Sequence, residues 1–327
     1  MLLPDAPALV LAPMEGVTDA PLRALMGLAG GFRYSVSEFV RVAHSVPSAG
    51  VFHRHVPELL HGGRTPTGLP VQVQLLGGDP GRVAEAAGVA VAAGATAIDL
   101  NFGCPAPTVN RHDGGATLLR HPPRLRAVVR AVRAAVPASV PVSAKLRLGW
   151  DDPDTVFEAA GMAAEGGASW LTVHARTRVQ GYAPPADWRR VGRVREQLRL
   201  PVVANGDVWT PDDFRRCRAE SGATHFMLGR GALARPWLPG WVAGQLGLAV
   251  EPPRLPTDWP GLLRTLAGFT PGFAGLPPAG AVKRMKQWLR IAAGCGAFDR
   301  FDAVKRANSP GELLAALASG AATAPAP

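Results

Sequence analysis

The strongest constraint on the fold of this chain is a repeated alternation of two kinds of segment. Short apolar runs rich in β-branched residues alternate with alanine-rich amphipathic stretches through about the first 230 of its 327 residues. Parallel strands buried on both faces have such runs, and helices between them return the chain to the same edge of the sheet. Eight such units predict an α/β fold, a (β/α)8 TIM barrel. A doubly wound sheet is the alternative, but no GxGxxG motif follows any of the runs.

The predicted elements can be placed on the chain by their composition. The strand-like runs are Ala8–Ala12, Tyr34–Ser37, Val71–Gln74, Ala97–Leu100, Val142–Lys145, Trp170–His174, Val202–Ala204 and His225–Leu228. After residue 243 the sequence becomes proline-rich, and beyond residue 260 three segments predict helices: Gly261–Ala267, Ala279–Ala293 and Gly311–Ala318. We therefore predict a barrel at 1–243, a linker at 244–260, a small C-terminal helical domain at 261–320 and a disordered tail at 321–327.

Overall composition limits the classes of protein to which the chain can belong. Hydrophobic residues make up 47% and charged residues 18% of the sequence, which is typical of a globular protein. The uncharged stretches Ala86–Ile98 and Thr265–Val282 are too short, or too often interrupted by Gly and Pro, to span a bilayer. No basic residue precedes Arg23, which argues against a signal peptide. These features predict a cytoplasmic protein without a membrane partner.

The three cysteines and the lysines are unusually informative. Cys104, Cys217 and Cys295 lie far apart without a CxxC pair, which predicts free thiols in a reducing compartment and no metal site. The net charge of +10 favours a polyanionic partner such as a nucleic acid. Only four of the 35 basic residues are lysines, and Lys145 is the only one before residue 283. Because lysine is a compact point donor, Lys145 is predicted to lie against a cofactor ring rather than at the surface.

One loop, Asp99–Pro105 (DLNFGCP), has the composition of an active-site loop. An apolar run ends there in a carboxylate and an amide, a glycine allows a sharp turn, and Cys104 is followed by a proline. Gly114 and Gly115 then provide a flexible hinge before the next helix. A buried cysteine in a tight turn is the alternative interpretation. The polar residues at the ends of the other strands favour a loop-borne catalytic thiol.

Polar or glycine-rich segments follow seven of the eight predicted strands. They include Pro13, Met14 and Glu15 after the first strand, and single residues at later strand ends, namely Gln74, Asn101, Lys145 and His174. The last two strands are followed by Asn205-Gly206-Asp207 and Gly229-Arg230, glycine-rich turns of the kind that hold a phosphate in this barrel. This pattern suits flavin mononucleotide (FMN), with Gln74 and Lys145 at the polar edge of its ring. Another phosphorylated ligand is the alternative.

The chain resembles the tRNA-dihydrouridine synthases, and most closely the bacterial C-type. The resemblance rests on motifs in family order through nearly the whole chain: LAPMEGVTD (11–19), SEFVRV (37–42), VQLLG (73–77), DLNFGCP (99–105), GGATLL (114–119), AKLRLGWDD (144–152), VHARTRVQGY (173–182), VVANGDVW (202–209), LGRGALARP (228–236), RMKQWL (284–289) and NSPGELL (308–314). The resemblance implies reduction of the C5–C6 bond of uridine in tRNA, at uridine 16 of the D-loop.

The resemblance also implies roles for individual residues. Cys104 matches the catalytic acid that protonates C5. FMN-contacting positions match Pro13, Met14, Glu15, Gln74, Lys145, His174, Asn205, Gly206, Asp207, Gly229 and Arg230. NADPH or NADH is expected to re-reduce the flavin, and the protein is expected to be a monomer without a metal.

The C-terminal region contributes a basic helix that is a candidate tRNA surface. Its basic residues are Lys283, Arg284, Lys286 and Arg290, and Asn101, Arg176 and Arg178 are predicted to contact RNA at the barrel mouth. A solvated basic face is the ordinary explanation for such a helix. Two other functions remain open from sequence: a flavin barrel that reduces a free pyrimidine, and a tRNA-binding protein whose barrel is only a scaffold.

Overall fold

Eight parallel strands close into a barrel, as the sequence predicts. The computed structural model describes residues 2–3, 6–111, 113–248, 253–273 and 278–318. The strands are β1 (Ala8–Leu11), β2 (Phe32–Arg41), β3 (Val71–Leu76), β4 (Ile98–Phe102), β5 (Val142–Arg147), β6 (Trp170–His174), β7 (Val202–Asn205) and β8 (His225–Leu228). Each strand pairs with the next, and β1 pairs with β8 through Leu9 and Phe226. The prediction of a TIM barrel is confirmed.

Helices surround the barrel and continue beyond it. They are α1 (Ala20–Gly27), α2 (Ala49–His55), α3 (Pro80–Ala92), α4 (Pro107–Asn110), α5 (Pro122–Ala135), α6 (Thr155–Glu165), α7 (Trp188–Gln197), α8 (Pro211–Ser221), α9 (Arg230–Ala234), α10 (Leu238–Gln245), α11 (Trp259–Phe273), α12 (Pro278–Ala293), α13 (Phe301–Val304) and α14 (Pro310–Ala318), with short 3-10 helices at Pro57–His61 and Gly115–Arg120. Local sequence sets several of their beginnings. For example, Thr210 and Asp213 form a reciprocal capping box at the start of α8.

The alternation of side chains along each strand decides which residues face the lumen. Val10 packs in an apolar cluster with Val203 and Met227 inside the barrel, whereas the neighbouring Leu9 and Leu11 pack against the surrounding helices. On the opposite wall the inward positions of β3, β4 and β5 are polar. They are Gln72, Gln74, Asp99, Asn101, Ser143, Lys145 and Arg147. The lumen therefore has one apolar wall and one polar wall.

Five strands, β2, β3, β4, β5 and β7, are longer than their sequence patterns predicted, and β2 and β5 show how far such an extension reaches. β2 extends to Arg41 rather than ending at Ser37, and β5 extends to Arg147 rather than ending at Lys145. The extension of β5 is stabilised by tertiary contacts, because the Arg147 guanidinium donates hydrogen bonds to the carbonyl oxygens of Gly103 and Gly181. These carbonyl groups belong to loops that are distant in sequence, so the residues around Arg147 do not reveal that the strand continues. The longer strand brings Arg147 into the barrel mouth.

The C-terminal helices pack directly on the barrel. Trp288 of α12 donates from Nε1 to the carbonyl oxygen of Leu233 in α9 at 2.8 Å, and its ring packs edge-on against Trp259 at 5.4 Å between ring centres. Within the predicted linker, α10 ends at Gln245 and α11 begins at Trp259, whereas residues 249–252 lie outside the described part of the chain. The predicted tail at 321–327 also lies outside it. The predicted domain boundaries stay predictions.

Candidate active site

All eight strands end at one cavity of about 960 Å³ at the carboxyl-terminal mouth of the barrel. Residue Ile291 of α12 also lines it, so the C-terminal helices form part of its wall. The cavity brings together every residue predicted for catalysis and cofactor binding, together with Asn101. These residues are Pro13, Met14, Glu15, Gln74, Cys104, Lys145, His174, Asn205, Gly206, Asp207, Gly229 and Arg230. Strand direction explains the convergence, since parallel strands deliver their last residues to the same face.

The Cys104 loop is held by hydrogen bonds from both sides. The Asn101 Oδ1 atom accepts from the backbone N–H groups of Gly103 at 3.0 Å and Cys104 at 2.9 Å. The side chain of Asn110 donates to the Cys104 carbonyl oxygen at 3.0 Å. Burial is the main cause that raises the pKa of the Cys104 thiol above its ordinary value. The thiol is therefore protonated at neutral pH and can donate a proton into the cavity.

Gln74 and Lys145 form the polar floor of the cavity. Gln74 is fully buried, and its Nε2 atom donates to Asp99 Oδ2 at 2.7 Å. Burial, followed by the repulsion of Arg147, lowers the pKa of Lys145 to about 8, although Asp99 acts in the opposite direction. Both groups can donate to oxygen or nitrogen atoms of a ring placed above them. These are the donors that the pyrimidine edge of a flavin requires.

The turns after β7 and β8 form a cradle for a phosphate group. Gly206 has a φ of +118°, and a Cβ atom there would lie 2.7 Å from Cδ2 of His174, so only glycine fits. The Arg176 side chain is buried beneath this turn and forms an ion pair with Asp207, while its Nε and Nη1 atoms lack a hydrogen-bond partner. Buried guanidinium donors without partners next to glycine turns suit an anion. The residues present therefore fit a phosphorylated flavin.

Two titratable groups next to the cradle and the Cys104 loop have shifted pKa values. Burial, together with the neighbouring cations Arg147 and Lys145, lowers the pKa of His174 well below its ordinary value, so its ring is neutral. Partial burial, followed by repulsion from Glu38, raises the pKa of Glu15 to about 7. Glu15 therefore changes its charge near neutral pH at the rim of the cavity.

The cavity also contains residues that sequence reasoning did not identify. Arg147 lies on the same face of β5 as Lys145, and its guanidinium is 5.2 Å from the ring centre of Tyr182. The Arg230 guanidinium lies 4.6 Å from that ring and 4.9 Å from the ring of Trp209. These distances are those of cation–π contacts. The alternation of β5 is a signal that could have identified Arg147, whereas Tyr182 lies on a loop with no comparable signal.

The residues predicted to contact RNA fall into two groups. Lys283 and Arg290 are exposed on α12, and Arg178 is half-buried beside the ring of Trp150. The other two basic residues of α12 are engaged within the protein: Arg284 forms an ion pair with Asp19, and Lys286 donates to the carbonyl oxygen of Ala307 at 2.9 Å.

Arg176 differs most from its prediction. Its side chain is only 1% exposed, and it lies beneath the turn after β7, where it forms an ion pair with Asp207. Its burial keeps the guanidinium away from the surface at which RNA would bind.

Within the ranges that the structure describes, no group of three or more His, Cys, Asp or Glu side chains is arranged to hold a metal ion. Among the same residues, no helix is both long enough and apolar enough to cross a membrane.

A barrel with glycine turns after its last two strands, polar donors at the floor of its mouth and a protonated thiol above them has the arrangement of a flavin-dependent barrel oxidoreductase. Comparison with known families identifies one family within this class. The family described as dihydrouridine synthase matches residues 10–246, and the chain belongs to that family. The resemblance inferred from the motifs is confirmed. Enzymes of this family reduce uridine to dihydrouridine in tRNA with a flavin.

Individual relatives agree with the family assignment. The chain is 49% identical over 289 residues to the tRNA-dihydrouridine(16) synthase of Pseudomonas putida, covering 86% of this chain and 87% of the relative. It is 44% identical over 324 residues to the protein of the same name from Cupriavidus necator, covering 97% and 99% of the two chains. A histamine dehydrogenase from Rhizobium sp. 4-9 shares the fold with a TM-score of 0.54 at 16% identity, covering 80% of this chain and 48% of that one.

Proposed function

We propose that this protein reduces the C5–C6 double bond of uridine 16 in the D-loop of tRNA to dihydrouridine, with FMN as its cofactor and NADPH or NADH as the reductant. The observation that carries the proposal is the convergence of Cys104, Lys145 and the glycine turns on one cavity at the barrel mouth. The names of relatives that match nearly the whole chain support the choice of substrate and position. We propose that the protein acts as a monomer in the cytoplasm, where tRNA is available.

The proposed cofactor site uses the two ends of the cavity differently. The turns at Gly206 and Gly229, with the guanidinium groups of Arg176 and Arg230, would hold the phosphate. Gln74 and Lys145 would meet the polar edge of the ring, and the remaining contacts would come from Pro13, Met14, Glu15, His174, Asn205 and Asp207. When bound and reduced, the flavin supplies the hydride that adds to C6 of uracil.

Cys104 is proposed to supply the proton that adds to C5. A thiol whose pKa is raised by burial remains protonated at neutral pH, yet is far more acidic than a serine hydroxyl. The hydrogen bonds from Asn101 and Asn110 hold the loop at the cavity wall. The thiolate left after transfer lies near the positive charges of Arg147 and Lys145, which favour it until it is reprotonated.

The uracil base must leave the RNA stack to reach this cavity. We propose that Asn101 and Arg147 contact its polar edge, because both line the cavity next to Cys104. The exposed ring of Tyr182 is placed to pack against the base or its ribose. The tRNA backbone would then lie along the exposed basic residues Lys283 and Arg290, with Arg178 closer to the mouth.

The test is an anaerobic reoxidation experiment with the full-length protein. The bound flavin is reduced, unmodified tRNA is added, flavin absorbance is followed, and dihydrouridine is mapped by primer extension. Rapid reoxidation with a single stop at uridine 16 is expected. A stop at another uridine would overturn the assigned position, reoxidation by free pyrimidines alone would favour the small-molecule reductase, and tRNA binding without reoxidation would favour the scaffold.

A further inference from the structure

A chain of buried side chains connects the Cys104 loop to the middle of the barrel lumen. Asn101, whose Oδ1 atom accepts from the loop backbone, donates from Nδ2 to Oε1 of Gln74 at 2.8 Å. Gln74 donates from Nε2 to Oδ2 of Asp99 at 2.7 Å. The other carboxylate oxygen, Oδ1, accepts from the Ser143 hydroxyl at 2.5 Å. Asp99 and Asn101 of β4 and Gln74 of β3 thus form one continuous path to the catalytic loop, and Ser143 of β5 extends it on the other side of Asp99.

The direction of each hydrogen bond in this chain is determined by its two ends. Two backbone N–H groups point at Asn101 Oδ1, so that amide can only donate toward Gln74. Gln74 must then present its oxygen to Asn101 and its nitrogen to Asp99. An ionised carboxylate only accepts, so Asp99 satisfies this arrangement and excludes the reversed amide. Asn101 and Asp99 therefore fix the orientation of the Gln74 amide from its two sides.

Asp99 is placed to act through other residues and not on a ligand. Its side chain is 2% exposed and does not line the cavity. Its hydrogen-bond donors among the described residues are Gln74 and Ser143. Burial raises the pKa of the Asp99 carboxyl above its ordinary value, whereas these two hydrogen bonds and the charge of Lys145 act in the opposite direction, in favour of the ionised form. A carboxylate buried in this way is costly, and core packing alone would favour an apolar residue. A role for the Asp99 oxygens in orienting the Gln74 amide, which faces the cavity, would explain why the protein buries a carboxylate there.

We propose that Asp99 is a positioning residue that fixes the amide of Gln74 and, through Asn101, the conformation of the Cys104 loop. The proposal deepens the proposed function and rests on it, because it assigns a purpose to Gln74 and Cys104 as cavity residues. Without an acceptor at position 99, the Gln74 amide is held by Asn101 alone and can turn away from it. The Nδ2 atom of Asn101 then loses its partner, and the Asn101 side chain holds the loop backbone less firmly.

The test compares three variants of the full-length protein, as purified with its flavin, in a Cys295→Ser background. Asp99→Leu removes the acceptor while keeping the number and branching of side-chain heavy atoms, whereas Asp99→Asn retains one oxygen for Gln74. Ser143→Ala breaks the other hydrogen bond of the same carboxylate and leaves the path to Cys104 intact, so it is the matched control. The rate of Cys104 alkylation by iodoacetamide is measured by mass spectrometry between pH 6 and pH 10, beside the visible spectrum of the flavin.

In Asp99→Leu we expect alkylation of Cys104 to become about tenfold faster, the size of effect that follows from losing one net hydrogen bond. The pH midpoint of alkylation should also fall, because a freed loop exposes the thiol to water. Asp99→Asn and Ser143→Ala should stay within about twofold of the parent, well below that effect. Equal acceleration in Ser143→Ala and Asp99→Leu would overturn the proposal, because it would indicate a general loosening of the core.

If Asp99→Leu does not fold, Gln74→Leu cuts the next link of the same path and should give the same acceleration. No acceleration in a folded variant of either kind would refute a positioning role. Alkylation requires neither tRNA nor turnover. A wild-type enzyme that tRNA does not reoxidise would therefore refute the proposed function and leave this measurement interpretable.

Discussion

The barrel mouth and the surface of α12 were both predicted to be functional, and they differ in where the structure places the predicted residues. At the barrel mouth every predicted cofactor and catalytic residue lines one cavity. On α12, by contrast, Lys283 and Arg290 are exposed, while Arg284 is paired with Asp19 and Lys286 caps carbonyl groups of the C-terminal region. Strand alternation ties a position in the sequence to a direction in space. Positive charge on a helix carries no such information, because a charged side chain can find a partner within the protein.

The largest expected effect concerns the centre of the barrel site. Cys104→Ala should lower the rate of flavin reoxidation by tRNA by about 10²- to 10⁴-fold, the usual contribution of a positioned general acid. Flavin content should not change, because Cys104 is proposed to act on the substrate. Single-turnover absorbance measurements under anaerobic conditions give the rate. Loss of the flavin in this variant would instead assign Cys104 a structural role.

The next effect tests the phosphate cradle. Gly206→Ala places a Cβ atom against His174 at a φ of +118°, so flavin affinity should fall by about 10- to 100-fold, as expected for 1–3 kcal/mol of local strain. Fluorescence titration of the flavin-free protein measures the affinity. Gly244→Ala in α10 is the control, because a Cβ atom there meets nothing within 4 Å. Unchanged affinity in Gly206→Ala would place the phosphate elsewhere.

The pH dependence of the reaction follows from the raised pKa of Cys104. The thiol donates only when protonated, so Cys104 itself should cause no loss of rate through neutral pH. A change of rate in that range would come from Glu15, whose pKa is about 7, or from Lys145, whose pKa is about 8. Above the raised pKa of the thiol the rate should fall about tenfold per pH unit, which is the slope for one essential proton. The measurement is a single-turnover rate between pH 6 and pH 10. Absence of the tenfold fall above the raised pKa of the thiol would contradict this assignment.

The smallest effects distinguish the two kinds of basic residue on α12. Lys283→Ala should reduce the slope of log affinity for tRNA against log salt by about 0.7–0.9, the contribution of one phosphate contact, without changing stability. Arg284→Ala should leave that slope unchanged. It should instead lower the free energy of unfolding by about 1–2 kcal/mol, between the values for exposed and buried ion pairs. Nitrocellulose filter binding at several salt concentrations and denaturant melts measure the two quantities.

The fold could be predicted nearly completely because each strand is a short apolar run between helices. β6 and β8 have the predicted limits, and the other strands differ by a few residues at one or both ends. The cavity residues could be predicted because they end those strands. Arg147 was missed because an arginine after an apolar run suggests a strand that has reached solvent. It is buried only because the carbonyl oxygens of Gly103 and Gly181 receive its hydrogen bonds.

The hydrogen-bonded path through Asp99 could not be read from the sequence either. Asp99, Gln74 and Ser143 lie on three strands, and their contacts depend on the register in which β4 pairs with β3 and β5. A sequence pattern shows that each of these residues faces inward, but it does not show which inward residues lie at the same height. Register follows from closure of the whole barrel.

The hydrogen bond from Trp288 to Leu233 has a thermodynamic consequence. Its acceptor lies in α9, the five-residue helix that begins at Arg230 directly after the proposed phosphate turn. A ligand at the proposed phosphate turn that stabilises α9 would also stabilise the surface on which α12 packs. The two equilibria would then be linked, and each would strengthen the other by the same factor. Hydrogen exchange should report this linkage as slower amide exchange along α12 when flavin is added, and not only next to Ile291, which lines the cavity.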